Sequence, residues 1–278
     1  MLLSPLHKLG PVLAVIAALG SSASAQEAEK PLLQNLPSAF EGFGWRISNV
    51  PLDVNFPTAM QAVNPSLRLK LRRWTANYGR GNVLPVDEFE SIGFNITDVQ
   101  GVKDRTTVTP THWHSGQMIW RVDKTVKSNK PELMPTAADL EAAIIAEFGA
   151  DPVDSQKDFG ARGLGKGSYK ILAYPVKDGA RFSGPCFDPT TSLYRSTAKP
   201  QAKYQVVKDM EDKIENGGYC EAVLMVLYAE GRMGRLSEYR IVARDFLMEA
   251  RHMIHDLETR VRLLEAERNN LPSVQPKL

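Results

Sequence analysis

A chain of 278 residues, 43% hydrophobic and 24% charged, has the composition of ordinary globular proteins, with enough apolar material for one large or two small cores. Its 34 Lys and Arg nearly balance 32 Asp and Glu, leaving a net charge of +2. Bulk charge therefore gives no case for nucleic acid or an anionic membrane as partner, and partners must be argued from local surfaces.

The opening residues, MLLSPLHKLGPVLAVIAALGSSASA, place Lys8 ahead of an apolar run from Val12 to Leu19, with small residues at Ala23 and Ala25. This is the pattern of a cleavable secretory signal over 1–25, with the mature chain expected to begin at Gln26. The competing reading, a membrane anchor, needs about 20 apolar residues, roughly twice what the run offers. No cysteine follows Ala25 to take a lipid, and no later stretch is long and apolar enough to span. The expectation is an exported protein without a transmembrane span, periplasmic or secreted. Cys186 and Cys220 are the chain's two cysteines, and an oxidising compartment favours joining them. A reactive thiol would call for a Cys-x-x-Cys pair or a histidine close by, and the local sequence has neither.

Residues 26–39, polar and with two prolines, are expected to be a flexible arm, with order beginning near Phe40. GWRISNVPL reads as an entering strand. FPTAMQAVNPS reads as a short helix, with Thr58 as N-cap, Gln61 at the capping-box position and an end before Pro65. SLRLKLRRW alternates Leu67, Leu69 and Leu71 with Arg68, Lys70 and Arg72, a half-buried strand whose basic face is either solvated or a grip for an anionic partner. SIGFNITDVQGV and GQMIWRVDKTV read as two further strands. MPTAADLEAAIIAEFGADP predicts a helix capped by Thr136 and Asp139, buried through Leu140, Ile144 and Phe148 and stopped at Gly149. SYKILAYPV is a strand, and YCEAVLMVLYAEGRMGRLSEYRIVA a hairpin turning around Gly231 to Gly234, its first arm continuously apolar and so central. This order predicts an α+β fold with two successive helix-on-antiparallel-sheet modules, 40–130 and 131–242. A long C-terminal amphipathic helix over 243–270 and a tail over 271–278 follow.

In that last helix Ala243, Leu247, Ala250, Ile254, Leu257, Val261 and Leu264 follow alternating steps of four and three, the seam spacing of a coiled coil, with Asp245 as N-cap. The stripe either packs on the chain's own sheet or meets a partner where a helix of about 35 Å overhangs the body. The second case makes Leu247, Ile254, Leu257, Val261 and Leu264 the partner-binding residues, for self-association or for another envelope protein.

THWHSG puts His112 and His114 two apart on an expected strand, hence on one side, where two imidazoles could share an ion. Zinc needs a third and usually a fourth ligand. His252 and His255 lie off the seam on the face expected to meet solvent, and a joint site would require that face to turn inward. No metal and no cofactor are expected. GARGLGKGS, Gly160 to Ser168, nearly matches a phosphate-binding loop, but Gly167 stands where Ser or Thr is needed and a strand follows instead of a helix. It reads as a connector, and no nucleotide partner is expected. No Gly-x-Ser-x-Gly elbow occurs, and the carboxylates of DEFE and DMED are solvated charges unless a cleft gathers them.

The helix PTAADLEAAIIAEFGADP, the strands after it, the two-cysteine segment ending CEAVLMVLY and the opening ISNVPLDVNFPTAMQAV resemble exported proteobacterial proteins of unknown function. In those a Tyr-Gly-x-Pro helix end precedes a disulfide-linked sheet. This chain departs from them at Phe148 to Pro152. The layout also resembles the helix-plus-sheet modules of small envelope assembly lipoproteins and of the β-lactamase inhibitor protein, at the level of fold analogy. No functional residue is carried over. Two functions follow as expectations: a non-enzymatic envelope binding or scaffold protein using the C-terminal helix, or a hydrolase or ligand-binding protein with its site near His112, Trp113 and His114.

Overall fold

Every residue from Ala222 to Tyr228 is buried, which only a strand covered on both faces of its sheet achieves. The computed structural model describes residues 36–65, 72–79, 82–88, 92–95, 99–112, 115–150, 152–154, 169–191 and 200–270. All lie within one unit, Pro31–Leu278. In chain order the elements are β1 (Arg46–Ile47), β2 (Val50–Pro51), α1 (Phe56–Val63), β3 (Arg72–Gly79), β4 (Asn82–Glu88), β5 (Ile92–Asn95), β6 (Val102–Pro110), β7 (Ile119–Ser128) and α2 (Ala137–Phe148). They continue with β8 (Val153–Asp154), β9 (Tyr169–Lys177), β10 (Ala180–Arg181), α3 (Pro200–Glu215), β11 (Ala222–Glu230), β12 (Leu236–Asp245) and α4 (Phe246–Asn270).

The main sheet runs β5, β6, β7, β12, β11, β9, antiparallel at every step, with β8 and β10 both pairing with β9. β1–β2 and β3–β4 are separate two-stranded pairs. The fold is α+β with a long C-terminal helix, and the strands of both expected segments share one sheet because β7 pairs with β12, Val122 opposite Ala243. One face carries Val108, Val122, Tyr174, Leu224 and Val226 against Trp45, Phe56 and Met60 and against Leu140, Ile144 and Phe148 of α2. The other carries Ile171, Ala173, Val223, Met225 and Val242 against Val207, Met210 and Ile214 of α3 and Phe246, Ala250 and Ile254 of α4. At about 1.5–3 kcal/mol for each large apolar side chain removed from water, this double burial is the main driving term.

Local chemistry explains the boundaries. α1 is capped by Asn55, whose side chain accepts from Thr58 N at 3.0 Å, so the cap lies three residues before the expected Thr58 because Pro57 is tolerated in a first turn. GWRISNVPL folds back on itself as β1–β2, with Ser48 and Asn49 at φ 56° and 64°. α2 has the expected capping box of Thr136 and Asp139 and ends at Gly149, φ 94°, where a side chain would be strained. Arg181 lies over the rings of Trp45 (4.6 Å) and Tyr174 (4.3 Å) and donates to the Phe148 carbonyl at the end of α2. Order is established before Phe40: the buried Ser38 hydroxyl donates to the Leu52 carbonyl at 3.0 Å. The leucine alternation through Leu67, Leu69 and Leu71 and the glycine loop Gly160 to Ser168 lie outside the described residues. Among the described residues no helix is long and apolar enough to cross a membrane.

Cys186 and Cys220 are joined, their Cα atoms 5.0 Å apart, tying the segment after β10 to the start of β11. The bridge closes a loop with a sequence separation of 34. Replacing both cysteines by serine is expected to lower stability by about 3–4 kcal/mol, read as a lower urea midpoint, with reductant producing the same shift in the native chain.

Candidate functional site

β12 passes into α4 with no intervening loop: the strand ends at Asp245 and the helix begins at Phe246. Because strand side chains alternate, Arg244 and Asp245 point to opposite sides, and each is only 1% exposed. Arg244 grips both oxygens of Glu249 at 2.8 Å and donates from Nη1 to the carbonyls of Thr191 (2.6 Å) and Pro189 (3.3 Å). Its guanidinium lies 5.2 Å from the Phe246 ring centre and 5.7 Å from that of Trp120. Asp245 caps α4, as expected, by accepting from Met248 N at 2.8 Å, and its other oxygen accepts from Ala39 N at 2.8 Å. The helix amides of Phe246 and Leu247 donate to the Glu221 carbonyl. Burial pushes the Asp245 carboxyl up to about 7; the two amide donors pull it down, and the nearby Glu221 charge adds to the rise. Beside it lies a cavity of about 330 Å³ bordered by Ser38, Glu41, Glu221 and Arg251.

Of THWHSG, the described residues Thr111, His112, Ser115 and Gly116 are not on a strand. They belong to the turn between β6 and β7, held by Thr111 N donating to Met118 O (2.7 Å), Thr111 Oγ1 to Ser115 O (3.1 Å) and Ser115 N to His112 O (2.9 Å). The register jumps between Thr109 and Pro110, so Trp120 is unmatched in the β6–β7 pairing; its indole N–H donates to the Pro110 carbonyl at 3.0 Å and its ring lies beside His252 of α4. The expectation that His252 and His255 face solvent is overturned. They are 4% and 5% exposed, because α4 is covered by the sheet and α3 on one side and meets this turn on another. His252 lies 5.8 Å, ring to ring, from both His112 and Trp120, and its Nδ1 donates to the Met248 carbonyl at 3.0 Å. His255 Nδ1 and Ser115 Oγ are 3.5 Å apart. The structure thus gathers three histidines that the sequence separates, while Trp113 and His114 lie outside the described residues. Among the described residues no cluster of three or more side chains could hold a metal ion. Ser115 is fully buried and offers no oxygen to a substrate in solution.

The apolar stripe is divided. Ala243 belongs to β12, Ala250 and Ile254 are buried in the core, and Leu247 and Leu257 are half-buried. Ile254 therefore serves the fold itself and is not open to a partner. Val261 stands 53% exposed, and the Leu264 side chain lies outside the described residues. α3, absent from the sequence reading, lies beside α4: Tyr204 donates to Glu258 at 3.0 Å and Arg251 to Glu215 at 2.8 Å. The Arg244–Glu249 pair also escaped the sequence reading, since a five-residue spacing across a strand–helix joint matches no regular period. No family model matches the chain, and neither does any curated protein or solved structure.

Glu249→Gln, which leaves Arg244 buried beside a neutral amide, is expected to cost about 3–5 kcal/mol in denaturant unfolding. The double change Arg244→Met with Glu249→Leu should recover most of that loss. For Asp245, the folded carboxyl near 7 against an ordinary value of 3.8 means that the native state holds the proton more tightly. The stability it contributes is complete below about 4 and is lost as pH rises towards 7. Unfolding midpoints followed from pH 5 to pH 8 should therefore fall in the native chain and flatten in Asp245→Asn.

Proposed function

We infer that this is an exported, non-enzymatic binding protein that associates through the outer part of α4, its partner a second copy of the chain. The observation that carries the reading is the division of the stripe: its inner positions are core, while Val261 continues the same seam at 53% exposure. A seam of a/d spacing is self-complementary, so one patch suffices for a two-fold pair. The buried root at Arg244, Asp245 and Glu249 supports it, since a binding element is precise only when its base is rigid.

Cutting the chain at Arg244 is not a usable test, because Phe246, Ala250 and Ile254 would leave the core. Light scattering after size exclusion should instead compare Gln26–Leu278 with the same chain carrying Leu257→Glu and Val261→Glu. The expected result is a dimer that becomes a monomer of unchanged circular dichroism. A monomer in both cases sinks self-association, and crosslinking in the periplasm then tests another envelope protein.

A second reading, a ligand-binding or hydrolytic site near His112 and His114, is favoured by the contact of His112 with His252 beside Trp120. It should be dropped if untagged protein carries no stoichiometric ion and His112→Ala and His114→Ala leave every property unchanged.

A further inference from the structure

Six large apolar side chains stand exposed among the described residues, and three of them, Val99 (49%), Leu133 (41%) and Met233 (89%), come from loops at one end of the main sheet. Strand direction places them together. β6 starts just after Val99, β7 ends just before Leu133, and Met233 occupies the turn from β11 to β12. At this end Val102 is opposite Ser128, and Lys127 opposite Glu238.

The loops are braced. Ser128 Oγ donates to Gly101 O at 2.7 Å and accepts from Lys130 N at 3.0 Å, joining the Val99 turn to the Leu133 turn. A side chain at Gly101 would meet Lys130 and Leu133, so the two turns are in close contact. Arg235 Nη1 donates to Met134 O at 2.7 Å, and Leu236 N to Pro135 O at 3.0 Å, joining the Leu133 turn to the Met233 turn. Met233 adopts φ 64°, a region that glycine or asparagine fills at lower cost, so the backbone does not call for methionine there. Water does not call for it either. A rigid platform that holds three apolar tips in solvent is the signature of a contact surface.

The charges beside the tips indicate what is contacted. Lys103 and Lys127 are directly opposed across β6 and β7, a like-charge pair that disfavours the bare sheet. Both are exposed, and they border an open groove of about 740 Å³ with Val99, Ser128, Ser237 and Glu238. Lys130 is exposed close by; Glu132 and Glu230 are exposed in the same loops, and the half-buried Glu238 neighbours Lys127. The groove thus combines two facing ammonium groups with one carboxylate, next to apolar tips. We propose that this end of the sheet docks on a lipid surface, with Val99, Leu133 and Met233 entering the headgroup boundary and Lys103 and Lys127 receiving the phosphates of anionic lipids. Apolar insertion and attraction to anionic headgroups reinforce each other at such a surface, so a near-neutral protein can bind through one local patch.

The test uses Gln26–Leu278, which contains the whole described unit and lacks the apolar leader, in co-sedimentation with phosphatidylglycerol/phosphatidylcholine vesicles and with pure phosphatidylcholine vesicles. Binding to the first and not the second is expected. The bound fraction should drop by at least about tenfold in Met233→Asp with Leu133→Asp, and again in Lys103→Glu with Lys127→Glu. Val261→Glu should bind as the native chain does, which separates this surface from the α4 seam. All these positions are exposed, and circular dichroism checks that each variant is folded. No binding to the anionic vesicles, or binding that survives both double substitutions, overturns the proposal. So does displacement by inorganic phosphate at constant ionic strength, which would show a groove for a free anion instead of a surface.

Discussion

The joint between β12 and α4 is the constraint on which the rest of the fold depends. Two adjacent residues, both charged by type and both buried, leave the strand in opposite directions. Arg244 fastens the first turn of α4 through Glu249 and, through the carbonyls of Pro189 and Thr191, the segment that follows Cys186. Asp245 fastens the helix start and, through Ala39 N, the N-terminal segment that covers the other face. Desolvating such groups is costly, and apolar residues of similar size would serve stability at least as well. What the charged pair adds is direction: a bidentate fork accepts one orientation of its partner, and that orientation sets the course of α4 across the sheet end.

Given that course, the histidine junction follows. A helix leaving the sheet end beside the turn from β6 to β7 must bury a second face, and His252 and His255 occupy it. Imidazoles suit this place, since each offers a flat apolar body to Trp120 or His112 and a nitrogen to a carbonyl or hydroxyl. The same geometry divides the heptad stripe. Positions over the sheet are consumed by packing, and Val261, farther along the helix, keeps the sequence character of a seam while standing exposed.

The sequence made some of this legible and hid the rest for identifiable reasons. α2 could be read because cap, stripe and stop agree, and β11 because seven buried residues in a row leave a helix no polar face. The disulfide could be read because two cysteines allow one pairing. β6 was missed because its inward positions include Asp104 and Thr106 beside Val108, a strand whose core face is largely polar. α3 was missed because Val207, Met210 and Ile214 are the few apolar marks in a segment rich in charge, which single-stripe reasoning assigns to solvent. The surface expectation for His252 and His255 fails for the same reason, since it supposes that a helix buries one face. α4 buries two. Arg244 and Glu249 belong to different elements, and their pairing follows from a corner that no periodicity encodes.

The distribution of polar groups bears on what kind of work the molecule performs. Several buried or half-buried ionisable groups among the described residues are engaged within the fold: Arg244 with Glu249, Asp123 with Arg240 and Arg121, Lys124 with Asp104. Burial alone would raise the Asp123 carboxyl, and the two guanidiniums outweigh it and hold it low, a fastener across β7 and β12. A catalytic group needs the opposite arrangement, a perturbed side chain presented to an open cleft. Asp245 comes nearest, since it is strongly shifted and borders a cavity, yet each of its oxygens already accepts a backbone amide. By contrast, Val261 on α4 and Val99, Leu133 and Met233 on the braced loops are large apolar side chains that stand exposed. Exposed apolar side chains held on rigid supports are the arrangement that the contact surfaces proposed above require.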